Sequence, residues 1–201
     1  MKHVVFDCGQ VLVRFEPAYM VSLYVTDPAD AKLLEEVVFD RLYWDKLDAG
    51  IITNEETMEA VRARLPERLW DVAERIYYNW IYTIPEIEGM RELIVHIKET
   101  YGVTTYLLSN ISHYFADHAD EVPILALIDH CVFSARVGMV KPHAEIFRYL
   151  CDTYGIDPHE ALFVDDRADN VAAAAQAGIH GYVFDGDAAR LRKYLDEILG
   201  K

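Results

Sequence analysis

Four places in this chain set polar, chemically capable residues where they could meet. Val4-Val5-Phe6 stops on Asp7 and passes into Cys8-Gly9; Val103 to Leu108 stops on Ser109-Asn110; Ala161 to Val164 stops on Asp165-Asp166; and Lys141 stands between Val140 and Pro142. A carboxylate can take a phosphoryl group as an aspartyl-phosphate and release it to water. Mg2+ prefers hard oxygen ligands, which Asp7, Asp166 and the carbonyl of Gly9 could supply. A lysine neutralises charge developing on the transferred group, and hydroxyl, amide and backbone N–H groups hold its other oxygens. Each residue also has an ordinary reading: Asp7 as a turn residue, Lys141 as a solvated lysine, Ser109 and Asn110 as caps of the helix that follows.

For these groups to form one site, the elements behind them must share an edge. From Pro85 onward, helical and strand patterns alternate. The amphipathic stretch Glu86 to Tyr101, ended by Gly102, precedes the strand Val103 to Leu108; Cys131 to Phe133 is a weaker strand; His143 to Tyr154 is helical. Ala161 to Val164 is a strand, Ala168 to Ala177 a helix, His180 to Phe184 a strand and Ala188 to Leu199 a helix. Strands alternating with helices predict a parallel, doubly wound sheet, in which all carboxyl strand ends lie on one edge. Asp7, Ser109-Asn110 and Asp165-Asp166 would then converge there.

Between the first strand and this pattern lies a segment without a convincing strand. Pro28 could start a helix toward Phe39, Thr53 could cap one from Asn54 to Leu65, and Pro66 could begin a third from Glu67 to Trp80. The aromatics Tyr43, Trp44, Trp70, Tyr77, Tyr78, Trp80 and Tyr82 are expected in its packed interior, and the acidic residues Asp27, Asp30, Glu35 and Glu36 on a solvated face. The expected organisation is a core of residues 1–14 and 84–201 with an inserted α-helical cap over 15–83.

The composition sets limits on partners. Thirty-four acidic against nineteen basic residues give a net charge of −15, which repels nucleic acid and anionic membrane surfaces. The three cysteines match neither a disulfide framework nor a zinc site, and a reducing cytoplasm is the expected setting. No apolar run approaches membrane-spanning length. Oligomeric state leaves no mark in the sequence.

The stretches Phe6-Asp7-Cys8-Gly9-Gln10-Val11, Leu108-Ser109-Asn110, Gly138-Met139-Val140-Lys141-Pro142 and Phe163 to Asn170, in this order, resemble the four motifs of the haloacid-dehalogenase-like hydrolases. The helical insertion resembles that superfamily's cap. Gly9, the Asp165-Asp166 pair and Asn170 look most like the branch containing bacterial α-D-glucose-1-phosphate phosphatase. The resemblance implies an α/β fold with a Rossmann-like parallel sheet, the Asp7 strand at its centre, Mg2+ as cofactor, and hydrolysis of a small phosphorylated metabolite through Asp7. It implies phosphate binding by Ser109, Asn110 and Lys141, metal ligation by Asp7, Gly9 and Asp166, and support from Asp165 and Asn170.

One position departs from the superfamily's commonest pattern. Most of its phosphatases carry an aspartate two residues after the nucleophile as general acid and base, and here that residue is Gly9. Losing such help typically costs about 10²–10⁴-fold. A hexose 1-phosphate, whose leaving oxygen is anomeric, would tolerate the loss better than an alkyl phosphate. His113 is a candidate replacement proton carrier. Two rival functions use the same fold: a metal-independent 2-haloacid dehalogenase, and a silent phosphometabolite-binding protein.

Overall fold

Each short apolar run read as a strand forms one. The computed structural model describes residues 1–200. The strands are β1 (His3–Phe6), β2 (Thr104–Ser109), β3 (His130–Phe133), β4 (Ala161–Asp165) and β5 (His180–Val183), all parallel in the order β3-β2-β1-β4-β5. The chain builds outward from β1 through β2 to β3, then returns to β1's other side for β4 and β5. Asp7 therefore follows the central strand at the point where the strand order reverses, where open parallel sheets bind ligands.

The helices are α1 (Pro17–Ser22), α2 (Pro28–Val38), α3 (Arg41–Asp48), α4 (Asn54–Arg64), α5 (Trp70–Asn79), α6 (Met90–Tyr101), α7 (His113–Asp117), α8 (Ser134–Val137), α9 (Ala144–Tyr154), α10 (Ala168–Gln176) and α11 (Ala188–Leu199). Alternation along the strands divides the core. Val4, Phe6, Leu107, Leu162 and Val164 pack with α6 and α11, in an apolar cluster that continues into α2 to α5. Val5, Leu108 and Phe163 face the other way, onto Ile146, Phe147 and Leu150 of α9 and Ala173 and Ala174 of α10. Among the described residues no helix is long and apolar enough to cross a membrane.

Residues 17–82 contain helices and no strand among the described residues. This segment leaves and rejoins the sheet at adjacent points: Arg14 N donates to Pro85 O (2.8 Å) and Ile87 N to Leu12 O (2.9 Å). Phe39, Trp44 and Trp80 cluster with Phe15, with ring centroids 5.2 to 5.9 Å apart, and Trp44 Nε1 donates to Val38 O (2.7 Å); Tyr82, expected in the same interior, ends a 3-10 turn and is exposed.

Several boundaries differ from the sequence reading. The helix expected from Glu67 begins at Trp70, after a 3-10 turn over Glu67–Leu69. Pro66 stays extended (ψ 143°) and the first turn closes on a three-residue bond, Leu69 N to Pro66 O (2.9 Å), while the Trp70 indole N–H reaches back to Arg62 and Leu65 carbonyls. The helix expected from Glu86 starts at Met90, because Ile87 pairs with Leu12 and Gly89 takes a left-handed conformation, φ 83°. The acidic face of the insertion is partly structural: Asp27 caps α2, and Asp30 pairs with Arg68.

One buried polar contact carries a stability prediction. Thr105 is fully buried, and its N–H and hydroxyl both donate to Asp129 Oδ2 (2.9 Å each), while Lys98 Nζ contacts Asp129 Oδ1 (2.7 Å). Burial raises the Asp129 pKa, but Lys98 and Thr105 more than offset it and hold the carboxyl below its ordinary value. Asp129→Ala should lower stability by about 1–3 kcal/mol, because it strands Thr105's buried donors. The readout is a lower urea midpoint at unchanged slope. With a depressed folded pKa, the contribution is present at neutral pH and disappears as pH falls below about 4.

Candidate active site

The carboxyl edge of the sheet brings the expected residues together. After β1, the amide hydrogens of Val11, Leu12 and Val13 turn back onto the Cys8 carbonyl, at 3.4, 2.9 and 3.0 Å, in a tight loop that directs Asp7 over the sheet edge. Ser109, the last residue of β2, donates its hydroxyl to Asp7 Oδ1 (2.7 Å). Lys141 Nζ lies 2.7 Å from the same oxygen and 2.7 Å from Asp165 Oδ2, with only 2% of its side chain exposed. Three strand ends and one loop thus meet within hydrogen-bond distance.

Lys141 is held at both ends. Its backbone is clasped by Asn110, whose Nδ2 donates to the Lys141 carbonyl (2.9 Å) and whose Oδ1 accepts from the Lys141 N–H (2.8 Å). Burial pulls its ammonium pKa down, but Asp7 and Asp165 overcome that and leave it raised, so the ammonium stays charged. Asp165, with no exposed side-chain surface, accepts from Lys141, from Asn170 Nδ2 (3.0 Å to each oxygen) and from Arg167 N (2.9 Å). Burial and then Asp7 leave its pKa raised, with Lys141 and the Arg167 N–H drawing it only part of the way back. Each of those four contacts is a donor, so the carboxyl sits there as an anion. Asn170 thus reaches Asp165.

The expected helix-capping alternative for Ser109 and Asn110 does not hold. Ser112 caps α7, accepting from Phe115 N, while Ser109 faces Asp7 and Asn110 clasps Lys141. His113, the first residue of α7, does not line the cavity at Asp7. Cys8 is buried at 2% exposure, and burial raises its thiol pKa, so it is an inert filler.

Oxygens of Asp7, Asp165 and Asp166 lie within 4.8 Å of one another. Partial burial, then Asp7 and Asp165, push the Asp166 carboxyl up to about 6. Three carboxylates gathered against one lysine fit a hard divalent cation, which takes oxygen ligands and would offset their mutual repulsion. Because Asp165 is committed to Lys141, Asn170 and Arg167, Asp7 and Asp166 are the carboxylates better placed to hold it.

The site opens into a cavity of about 180 Å³. The core lines it with Asp7, Gly9, Ser109, Asn110, Lys141 and Arg167. The helical segment contributes Arg41, Trp44, Asp48 and Trp80, and with Phe15 and Phe115 forms an aromatic wall. Sequence reasoning did not single out Arg41, Asp48 or Arg167. Asp48 is one acidic residue among thirty-four, and only its tertiary position distinguishes it.

Fold and site together place the protein among the parallel-sheet α/β enzymes, in the class of hydrolases. Residues 1–178 match the family described as haloacid dehalogenase-like hydrolase, and the chain belongs to it. Among related sequences, a D-ribitol-5-phosphate phosphatase of Bacteroides thetaiotaomicron is 24% identical over 192 residues, covering 90% of this chain and 91% of its own. A phosphoglycolate phosphatase of Mannheimia succiniciproducens is 26% identical over 180 residues, 85% of this chain and 72% of its own. A family enzyme of Bacteroides thetaiotaomicron, solved with magnesium and inorganic phosphate, superposes with TM-score 0.69 at 20% identity, over 95% of this chain and 98% of its own. An L-2-haloacid dehalogenase of Xanthobacter autotrophicus gives TM-score 0.64 at 16% identity, over 90% and 76%. At these identities the structures show the shared fold.

Proposed function

We propose that this protein is a Mg2+-dependent phosphatase that hydrolyses a small phosphomonoester through an aspartyl-phosphate on Asp7. The observation that carries the reading is the convergence of Lys141 Nζ and Ser109 Oγ on Asp7 Oδ1, beside Asp166. A buried ammonium next to a nucleophilic carboxylate is placed to hold the phosphoryl group as charge builds on its oxygens. Ser109 holds a second oxygen once it turns from Asp7. Asn110 acts chiefly by fixing Lys141, because its side chain already clasps that backbone. Asp165 and Asn170 keep the Lys141 ammonium in line. Asp7, Asp166 and the Gly9 carbonyl would hold Mg2+, which would polarise the phosphoryl oxygens and offset the carboxylate charge.

The two phosphatase relatives support the reaction class, and both are named for alkyl phosphates. A hexose 1-phosphate remains the substrate that best tolerates Gly9. A panel of glucose 1-phosphate, ribitol 5-phosphate and phosphoglycolate tests that choice. Preference for the 1-phosphate upholds it, and equal or faster alkyl ester turnover overturns it. The helical segment supplies the leaving-group side of the cavity, so it would set that preference and exclude water.

Chelation separates this reading from its rivals. EDTA should remove phosphate release and Mg2+ should restore it. At a hundredfold excess over its dissociation constant, Mg2+ should also stabilise the fold by about 2.7 kcal/mol. That shift should shrink in Asp166→Asn. Halide release from a 2-haloacid that survives EDTA would favour a dehalogenase, and binding of phosphate with turnover no higher than in Asp7→Asn would favour a silent binder.

A further inference from the structure

We infer that Asp48 is the general acid and base of this phosphatase, a catalytic carboxyl supplied by the helical segment in place of a side chain at position 9. The inference rests on the phosphatase reading. Of the residues lining the cavity, Asp7 and Asp48 are the two carboxylates, and Asp7 is engaged by Lys141 and Ser109. The remaining cationic linings cannot exchange a proton readily near neutral pH: Lys141 is locked between two carboxylates, and Arg41 and Arg167 are guanidinium groups. No histidine lines the cavity among the described residues.

Asp48 is held in place by the core. It is the last residue of α3, and its carbonyl accepts a hydrogen bond from the buried Ser134 hydroxyl, which itself accepts from Ile111 N (2.8 Å). Two residues on, Gly50 turns with φ 69°, and a Cβ there would come within 2.8 Å of the Ala135 carbonyl. The α3 terminus is therefore seated directly on α8, and Asp48 lines the same cavity as Asp7 from a fixed support. Position 9 is different: a Cβ on Gly9 would meet only Phe15 Cβ, at 3.9 Å. Packing does not forbid a side chain there, yet position 9 carries none that could move a proton.

The surroundings of Asp48 suit the role. Arg41 and Asp45 on α3, Asp7 and Lys141 of the core, and Tyr77 on α5 are the charged and titratable groups about it, with Arg167 across the cavity and His113 beside Gly50. Burial, then Asp45 and Asp7, push its carboxyl up to about 8 against the pull of Arg41 and Lys141. It is therefore protonated at neutral pH, as a general acid must be.

The steps balance. Asp7 forms its bond to phosphorus as the ester P–O bond breaks, and the electron pair of that bond goes to the leaving oxygen, which takes the Asp48 proton. Asp48, now a carboxylate, removes a proton from the water that attacks the aspartyl-phosphate. The P–O bond to Asp7 breaks, its electron pair returns to the Asp7 carboxylate, and inorganic phosphate leaves.

The test compares wild type with Asp48→Asn, in Mg2+, on a series of esters from p-nitrophenyl phosphate through glucose 1-phosphate to ribitol 5-phosphate. Aryl esters leave as stable anions and depend little on a proton donor, so their turnover also reports that the variant is folded. The expected result is a kcat loss of about 10²–10⁴-fold on the alkyl ester, at least tenfold larger than the loss on the aryl ester. The wild-type alkyl profile should fall above about pH 8, and Asp48→Asn should lack that limb. Parallel losses along the series, or no loss on the alkyl ester, overturn the role of Asp48. Wild-type silence on every ester overturns the phosphatase reading beneath it.

Discussion

Asp7→Asn is expected to reduce phosphate release by at least about 10⁴-fold, the scale on which removal of an acyl- or phosphoryl-accepting nucleophile acts. The amide oxygen can still accept from Ser109 Oγ and Lys141 Nζ, which in the native site both sit 2.7 Å from Asp7 Oδ1. The geometry is therefore largely kept while the nucleophilic lone pairs are lost. Removing the charge also relieves repulsion on Asp165 and Asp166, both of which Asp7 pushes toward protonation. The variant should fold, bind phosphate and fail to turn over. A coupled phosphate assay on the purified variant, beside its thermal melt, checks this. Residual activity above about 1% of wild type in a folded variant would show that the phosphoryl group does not pass through Asp7.

How much of this site the sequence revealed depends on where the information lay. Asp7, Ser109, Asp165 and Asp166 each end an apolar run, so a local pattern marks them and the parallel sheet collects them. Lys141 lies on no regular element and became visible only through the order of the motifs. The partners that give it meaning, Asn110 on its backbone and Asp165 on its ammonium, are 31 and 24 residues away, and no periodicity encodes such contacts. Asp48 was invisible for the same reason. It ends a polar helix, and its role depends on Ser134 and Gly50 seating that helix on the core. The aromatics illustrate a milder limit: Trp44 and Trp80 are buried, as expected of aromatics in the insertion's helices, yet they also wall the cavity. Pattern shows that a side chain is buried, not what lies on its far side.

The second large effect concerns stability as well as rate. Lys141→Met should abolish turnover and, measured in EDTA, destabilise the fold by about 3–5 kcal/mol, because it leaves Asp165, with no exposed side-chain surface, as a buried, uncompensated charge, whereas Asp7 opens onto the cavity and can be solvated there. Against a typical domain stability of about 5–15 kcal/mol, such a loss is a large part of the total. The side chain it replaces is 2% exposed, sits between the two carboxylates and lies 5.2 Å over the Phe163 ring, so water cannot easily take its place. The double variant Lys141→Met/Asp165→Asn separates the two effects. Its neutral amide can still accept from Arg167 N, 2.9 Å from Asp165 Oδ1 in the native site, and no buried charge remains at position 165. Stability should return to within about 1–2 kcal/mol of wild type, by the same logic that makes apolar or neutral replacements of buried ion pairs nearly costless. Activity should stay lost, since no ammonium faces the phosphoryl site. Urea melts and phosphate release on the same preparations give both readings. If Lys141→Met alone were as stable as wild type, Asp165 would have to be neutral in the native protein, and its part in holding the lysine would fall. If the double variant recovered turnover, the ammonium would not be the group that stabilises the transferred phosphoryl.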